Sequence, residues 1–174
     1  DVAISGSGIT ANALTFTTTS YTISGGTLSF NGATPTVTSG VTATISAPLS
    51  GSTGLRKSGN GTLILSGSNS ALTGGLVLTG GTSGNNAGVQ FQNNAAVGGI
   101  TSIEVQNNTF LGLSGTTTGS GVSYTVSGGG GTTAPSGAIR GVAGTNVVNG
   151  PVSIASSTVR FSNIGAATSS LTFN

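Results

Sequence analysis

The sequence predicts an all-β fold, a solenoid of stacked strand-and-turn coils, and three observations carry that prediction. The 174 residues include 32 Gly and only 3% charged side chains, against roughly 25% charged in ordinary globular proteins. Short runs that alternate apolar with small or hydroxylic residues end at Gly or Asn about every 8 to 14 residues, with no stretch of helical period. Related strand motifs also recur, which is the signature of a repeat architecture.

Each part of this reading has its own basis. Glu, Lys, Arg, Met and Gln, the side chains that favour helices, are scarce, whereas Thr, Val, Ile, Ser and Gly suit short strands and tight turns. Disorder is disfavoured because mean hydropathy is positive, at +0.28. Alternation predicts strands at 13–17, 27–31, 41–45, 62–65, 103–105 and 159–161, each with one buried and one wet face. Turns are predicted at Asn31-Gly32, Asn60-Gly61, Asn149-Gly150 and at the glycine pairs 25–26, 74–75, 80–81 and 98–99. Leu-[Ser/Thr]-Phe-[Thr/Asn] appears at Leu14, Leu28 and Leu171, and Leu-x-Leu followed by a hydroxylic residue and Gly appears at Leu63 and Leu76. Such repetition suits coils that stack on one another, with like side chains in internal ladders. Residues 1–174 form one solenoid segment in this reading, with a loop or join at 127–136.

The stretch Gly54-Leu55-Arg56-Lys57-Ser58-Gly59-Asn60-Gly61-Thr62-Leu63-Ile64-Leu65-Ser66-Gly67-Ser68-Asn69, continued by Thr73-Gly74-Gly75-Leu76, resembles the autotransporter-associated β-strand repeat of bacterial passenger domains. That family's pattern runs G-L-x-K-x-G-x-G-T-L-x-L-S-G-x-N and then Thr-Gly-Gly. Its aromatic after the asparagine is missing here, where Ser70-Ala71-Leu72 stands instead. The resemblance implies a right-handed parallel β-helix in a large secreted or surface-anchored protein. It carries over Gly54, Leu55, Lys57, Gly59, Gly61, Thr62, Leu63, Leu65, Ser66, Gly67, Asn69, Gly74 and Gly75 as structural positions only, because such passengers are scaffolds for different functions.

Chemistry is largely excluded by what the chain lacks. It has no His or Cys, and its acids are Asp1 and Glu104, so neither a Ser-His-Asp arrangement nor a pair of internal carboxylates can be built. No catalytic, metal-binding or cofactor-binding residue is assigned, and no enzyme activity is expected. Gly51 to Ser58 falls short of a phosphate loop because Arg56 replaces its second glycine, and Gly6 to Ala11 matches a dinucleotide fingerprint without the helix that would support it. Four basic residues, Arg56, Lys57, Arg140 and Arg160, are too few for a nucleic-acid stripe. No run approaches the roughly 18 apolar residues of a membrane span. Lys57 and Glu104 read as independent solvated or capping charges, with a Lys-Asn isopeptide crosslink promoted by Glu104 as the sharper alternative.

The start, Asp1-Val-Ala-Ile-Ser, lacks the regions of a signal peptide, so a mature or excised segment is expected. Both ends, Val2-Ala3-Ile4 and Ser170-Leu171-Thr172-Phe173, are uncharged strands, and Val2, Ile4, Leu171 and Phe173 are expected to pair with another strand edge. The expected role is a structural module of an extracellular or cell-surface fibre or filament. Its partner would be itself, as head-to-tail subunits or flanking repeats. An adhesin segment binding glycans or host surfaces is the alternative, and a Thr-rich ice-binding face a minor one.

Overall fold

The computed structural model describes residues 1–82, 87–131 and 137–174. The chain winds in coils. The first holds β1 (Val2–Ile4), β2 (Ile9–Ala11) and β3 (Ala13–Phe16), the second β4 (Tyr21–Gly25), β5 (Leu28–Phe30) and β6 (Thr36–Ser39). The third holds β7 (Ala43–Ile45), β8 (Leu49–Gly51) and β9 (Leu55–Ser58), and the fourth β10 (Thr62–Leu65) and the long β11 (Ala71–Leu78). The fifth holds β12 (Ala87–Phe91), a four-residue helix α1 (Asn94–Val97) and β13 (Gly99–Val105); the sixth has β14 (Thr109–Ser114) and β15 (Ser123–Val126). The seventh has β16 (Ile139–Ala143), β17 (Thr145–Val148) and β18 (Val152–Ile154), and β19 (Phe161–Asn163) and β20 (Ser170–Phe173) begin another.

The result is a parallel β-solenoid. On its first face β1, β4, β7, β10, β12, β14, β16 and β19 pair in that order. A second face runs β2, β5, β8 and the start of β11; a third runs β3, β6, β9, the end of β11, β13, β15 and β18. Coil length varies: 20 residues separate the partners Ala43 and Leu63, whereas 28 separate Leu111 and Ile139. Ser127 to Gly131, within the predicted loop or join, lie between the sixth and seventh coils, where Ser127 N donates to Val105 O at 3.0 Å. Residues 132–136 of that prediction lie outside the described residues.

Alternation works as the sequence implies, because every second residue of a strand points inward and meets its counterpart in the next coil. One ladder on the first face is Tyr21, Ala43, Leu63, Val89, Leu111, Ile139 and Phe161; a second is Ile23, Ile45, Leu65, Phe91 and Leu113. Their middle members are fully buried, and each large side chain so placed contributes on the order of 1.5–3 kcal/mol.

Three expectations need correcting. Gly74 and Gly75 do not make a turn between strands; they lie inside β11, where the register shifts as the strand passes from the second face to the third. Val159 and Arg160 precede β19 rather than forming part of it. The helix α1 is an addition to the all-strand reading, since four residues are too few to show a 3.6 period; its start is set by Asn93, whose side chain accepts from Ala96 N at 2.9 Å.

Candidate functional site

In β9, Leu55 and Lys57 face inward and Arg56 faces solvent. Lys57 therefore stands in an otherwise apolar ladder of the third face: Leu14, Val37, Lys57, Leu78, Val105, Val126 and Ile154. It is completely buried. Its ammonium curls back along the backbone and donates to the carbonyls of Gly59, at 2.7 Å, and Gly61. The spacing Lys-x-Gly-x-Gly thus has a physical cause. The corner wraps around a cation, and a Cβ at Gly61 would overlap the Val41 carbonyl of the coil before. Burial pushes the Lys57 pKa down to about 8.

Glu104 is not its partner. Glu104 lies in the outward row of the same sheet, in register with Val77 and through it with Arg56, and its carboxylate accepts from Gln106 Nε2 at 2.8 Å. Lys57 and Glu104 occupy opposite sides of the sheet. Lys57 is thus independent of Glu104 and caps backbone carbonyls from inside the coil rather than standing as a solvated charge, and the crosslink promoted by Glu104 does not fit that placement.

The next corner is held by an asparagine. Asn69 is buried, its Oδ1 accepts from Leu49 N in the coil before at 3.0 Å, and its Nδ2 donates to Ala96 O in the coil after at 2.7 Å. Thr62 leads into β10 half-buried, Leu63 and Leu65 fill the core, and the Ser66 carbonyl accepts from Asn93 Nδ2 at 3.0 Å. Gly67 is buried at the same corner, and Gly54, backbone to backbone with Thr73 and Gly75, makes the corner beneath which β11 bulges.

Two polar clusters escape a reading of alternation. Asn146 is fully buried; it accepts from Thr116 N at 3.1 Å and donates to the carbonyls of Ala143, Gly144 and Ser170, each at 3.0 Å. Arg140 is also buried, with its guanidinium 4.0 Å above the Phe110 ring and Nε donating to Gly137 O at 2.7 Å. Desolvation lowers its pKa to about 10. Of the basic residues, Arg56 and Arg160 remain exposed.

Exposed apolar surface lies at the two ends. Val2, Ile9, Ile154, Phe161 and Phe173 are 39–60% exposed, yet all are inward positions by register. Their partners in the neighbouring coil are Ile23, Leu28, Val126, Ile139 and Val148, and each of these is buried. Phe161 and Phe173 contact each other with ring centroids 4.8 Å apart, Leu171 is half-buried beside them, and Ile4 at the opposite end is nearly covered. At the N-terminal end the core opens into a cavity of about 330 Å³ lined by Leu14, Phe16, Tyr21 and Ile23. On the sides, hydroxyls bond to one another between coils, as Ser29 to Ser50 at 2.8 Å and Thr38 to Ser58 at 2.9 Å.

Among the described residues no three His, Cys, Asp or Glu side chains cluster as metal ligands, and no helix is long and apolar enough to cross a membrane. No family model matches the chain, and no solved structure does. Over 122 residues, 69% of its length, it is 41% identical to a protein named Adhesin BmaC autotransporter from Brucella suis biovar 1 (strain 1330). The chain spans about 3% of the length of that curated relative. It is therefore similar to a short stretch of a far longer autotransporter adhesin.

Proposed function

We propose that the chain is a non-catalytic coil stack from the passenger of a bacterial surface protein, and that its open ends continue into further coils. The covering coils belong either to the same polypeptide or to the next subunit, head to tail. One observation carries this reading: the strongly exposed large apolar residues are inward ladder positions of the terminal coils, where only another coil supplies both apolar contacts and backbone partners. Similarity to a small part of a much longer autotransporter adhesin supports the surface setting. Sedimentation of the isolated chain over increasing concentration tests it. Reversible end-to-end association, abolished by Phe161→Asp or Ile154→Lys, is the expected result; a monomer at the highest attainable concentration overturns it.

The relative's name favours a second reading, in which the segment itself contributes to adhesion to glycans or host surfaces. Attachment of cells bearing the parent protein with and without this stretch separates the two, since a pure spacer can be replaced by other coils without loss of attachment.

A further inference from the structure

Three Asn-Gly dipeptides occur in the sequence, at Asn31-Gly32, Asn60-Gly61 and Asn149-Gly150, and the fold treats them differently. At Asn60 the side-chain oxygen accepts from Thr82 N at 3.0 Å and from the Thr82 hydroxyl at 3.2 Å, while the Gly61 N–H is committed to Ser39 O at 2.8 Å and Gly61 is buried. At Asn149 both ends of the side-chain amide are held: Nδ2 donates to Thr118 O at 2.7 Å and Oδ1 accepts from Asn174 Nδ2 at 2.9 Å. These two dipeptides are fixed by neighbouring coils and half-buried or buried.

Asn31 and Gly32 are both exposed; neighbouring coils hold their backbone, with Asn31 N donating to Ala11 O at 3.0 Å and the Thr53 hydroxyl donating to Gly32 O at 2.8 Å, but the Gly32 N–H donates at 2.7 Å to the Oδ1 of Asn31 itself. The backbone nitrogen thus already faces the side-chain amide of its own neighbour. Gly32 has no Cβ, and the Asn12 side chain occupies the space where one would stand.

We propose that Asn31 is a selective site of spontaneous covalent modification, through a succinimide, while the other two Asn-Gly sites are protected by the fold. The Gly32 amide nitrogen gives up its proton to solvent base and attacks Cγ of Asn31. A bond forms between that nitrogen and Cγ, the bond from Cγ to Nδ2 breaks, and Nδ2 leaves as ammonia. Water then opens the five-membered ring at either carbonyl, leaving aspartate or isoaspartate at position 31. The sum is one water consumed and one ammonia released. The product adds a negative charge to a corner of the second coil, beside Asn12, and takes the formal net charge of the protein from +2 to about +1. An isoaspartate also lengthens the backbone at that corner.

Peptide mapping by mass spectrometry after incubation of the folded protein at pH 8.5 and 37 °C tests the proposal, with a parallel sample in strong denaturant. The folded protein is expected to gain about 1 Da at Asn31, or about 3 Da in ¹⁸O-labelled water. It should do so at least about tenfold faster than at Asn60 or Asn149, since each 1.4 kcal/mol by which the fold raises a barrier is a factor of ten. In denaturant all three should react at similar rates. Equal rates at the three sites in the folded protein, or reaction first at Asn60 or Asn149, overturn it. So does an unmodified Asn31 in folded protein when the denatured control reacts.

Discussion

The first four coils and the last three are built to the same plan but filled differently. On the first face coils one to four repeat every 20 to 22 residues, as the partners Ala43 and Leu63, and Tyr21 and Ala43, show. Among the described residues their buried polar side chains are Ser39, Lys57, Asn69 and Thr79. From the fourth coil onward the spacing is less uniform, with 26 residues between Leu63 and Val89, 22 between Val89 and Leu111 and 28 between Leu111 and Ile139. In the fifth coil α1, and in the sixth a single bridge at Thr117, replace the second-face strand, β17 in the seventh pairs with β20, and Thr109, Thr116, Thr118, Tyr124 and Asn146 are buried. Where coil length is constant, like side chains fall on like and apolar ladders hold the stack. Where it varies, carbonyls and N–H groups lose their strand partners, and buried side-chain hydrogen bonds must take over.

The largest test of that contrast is in the regular half. Leu63 is fully buried between Ala43 and Val89, and Leu63→Ala is expected to cost about 3–5 kcal/mol by denaturant unfolding. The same truncation at exposed Ile154 should cost under about 1 kcal/mol in the isolated protein. In the irregular half the sensitive residue is polar. Asn146→Ala leaves the buried Thr116 N–H without its acceptor and removes three carbonyl partners, for an expected loss of about 2–3 kcal/mol. A loss near zero would mean that polar filling is incidental.

The smallest effect concerns the exception in the apolar half. The folded-state pKa of Lys57 lies near 8, below its ordinary 10.5, because of burial. Between pH 8 and 10 the unfolded protein therefore binds more protons, and stability rises with pH by about 1–2 kcal/mol. Above pH 10 the window closes: the Tyr124 hydroxyl, pushed up to about 12 by burial, acts in the opposite sense. Chemical denaturation at several pH values checks this, and the slope should vanish in Lys57→Met.

What is legible in the sequence follows the same division. Strand positions and inward residues in the first half are readable because alternation and coil length agree, as at Leu28, Leu63 and Leu65. The role of Lys57 is not, since a lone lysine at an inward position reads as a surface charge unless the carbonyls two and four residues later are seen to converge on it. Asn146 and Thr116 are hidden for a related reason: a polar residue in an alternating run is assigned outward, and only the three-dimensional path of an irregular coil turns it in. Exposure of Phe173 at an open end follows from its uncharged strand, but its contact with Phe161 depends on how the last coil closes.

A stack of look-alike coils faces a counting problem during folding, because a coil that docks one place too early still finds parallel partners and apolar neighbours. Asn69 counts. Its amide must meet one N–H from the third coil and one carbonyl from the fifth at the same time, so a skipped or doubled coil leaves a buried amide unanswered. In a long repetitive protein, correct order would then be checked by a few sparse polar residues rather than by the ladders that supply most of the stability.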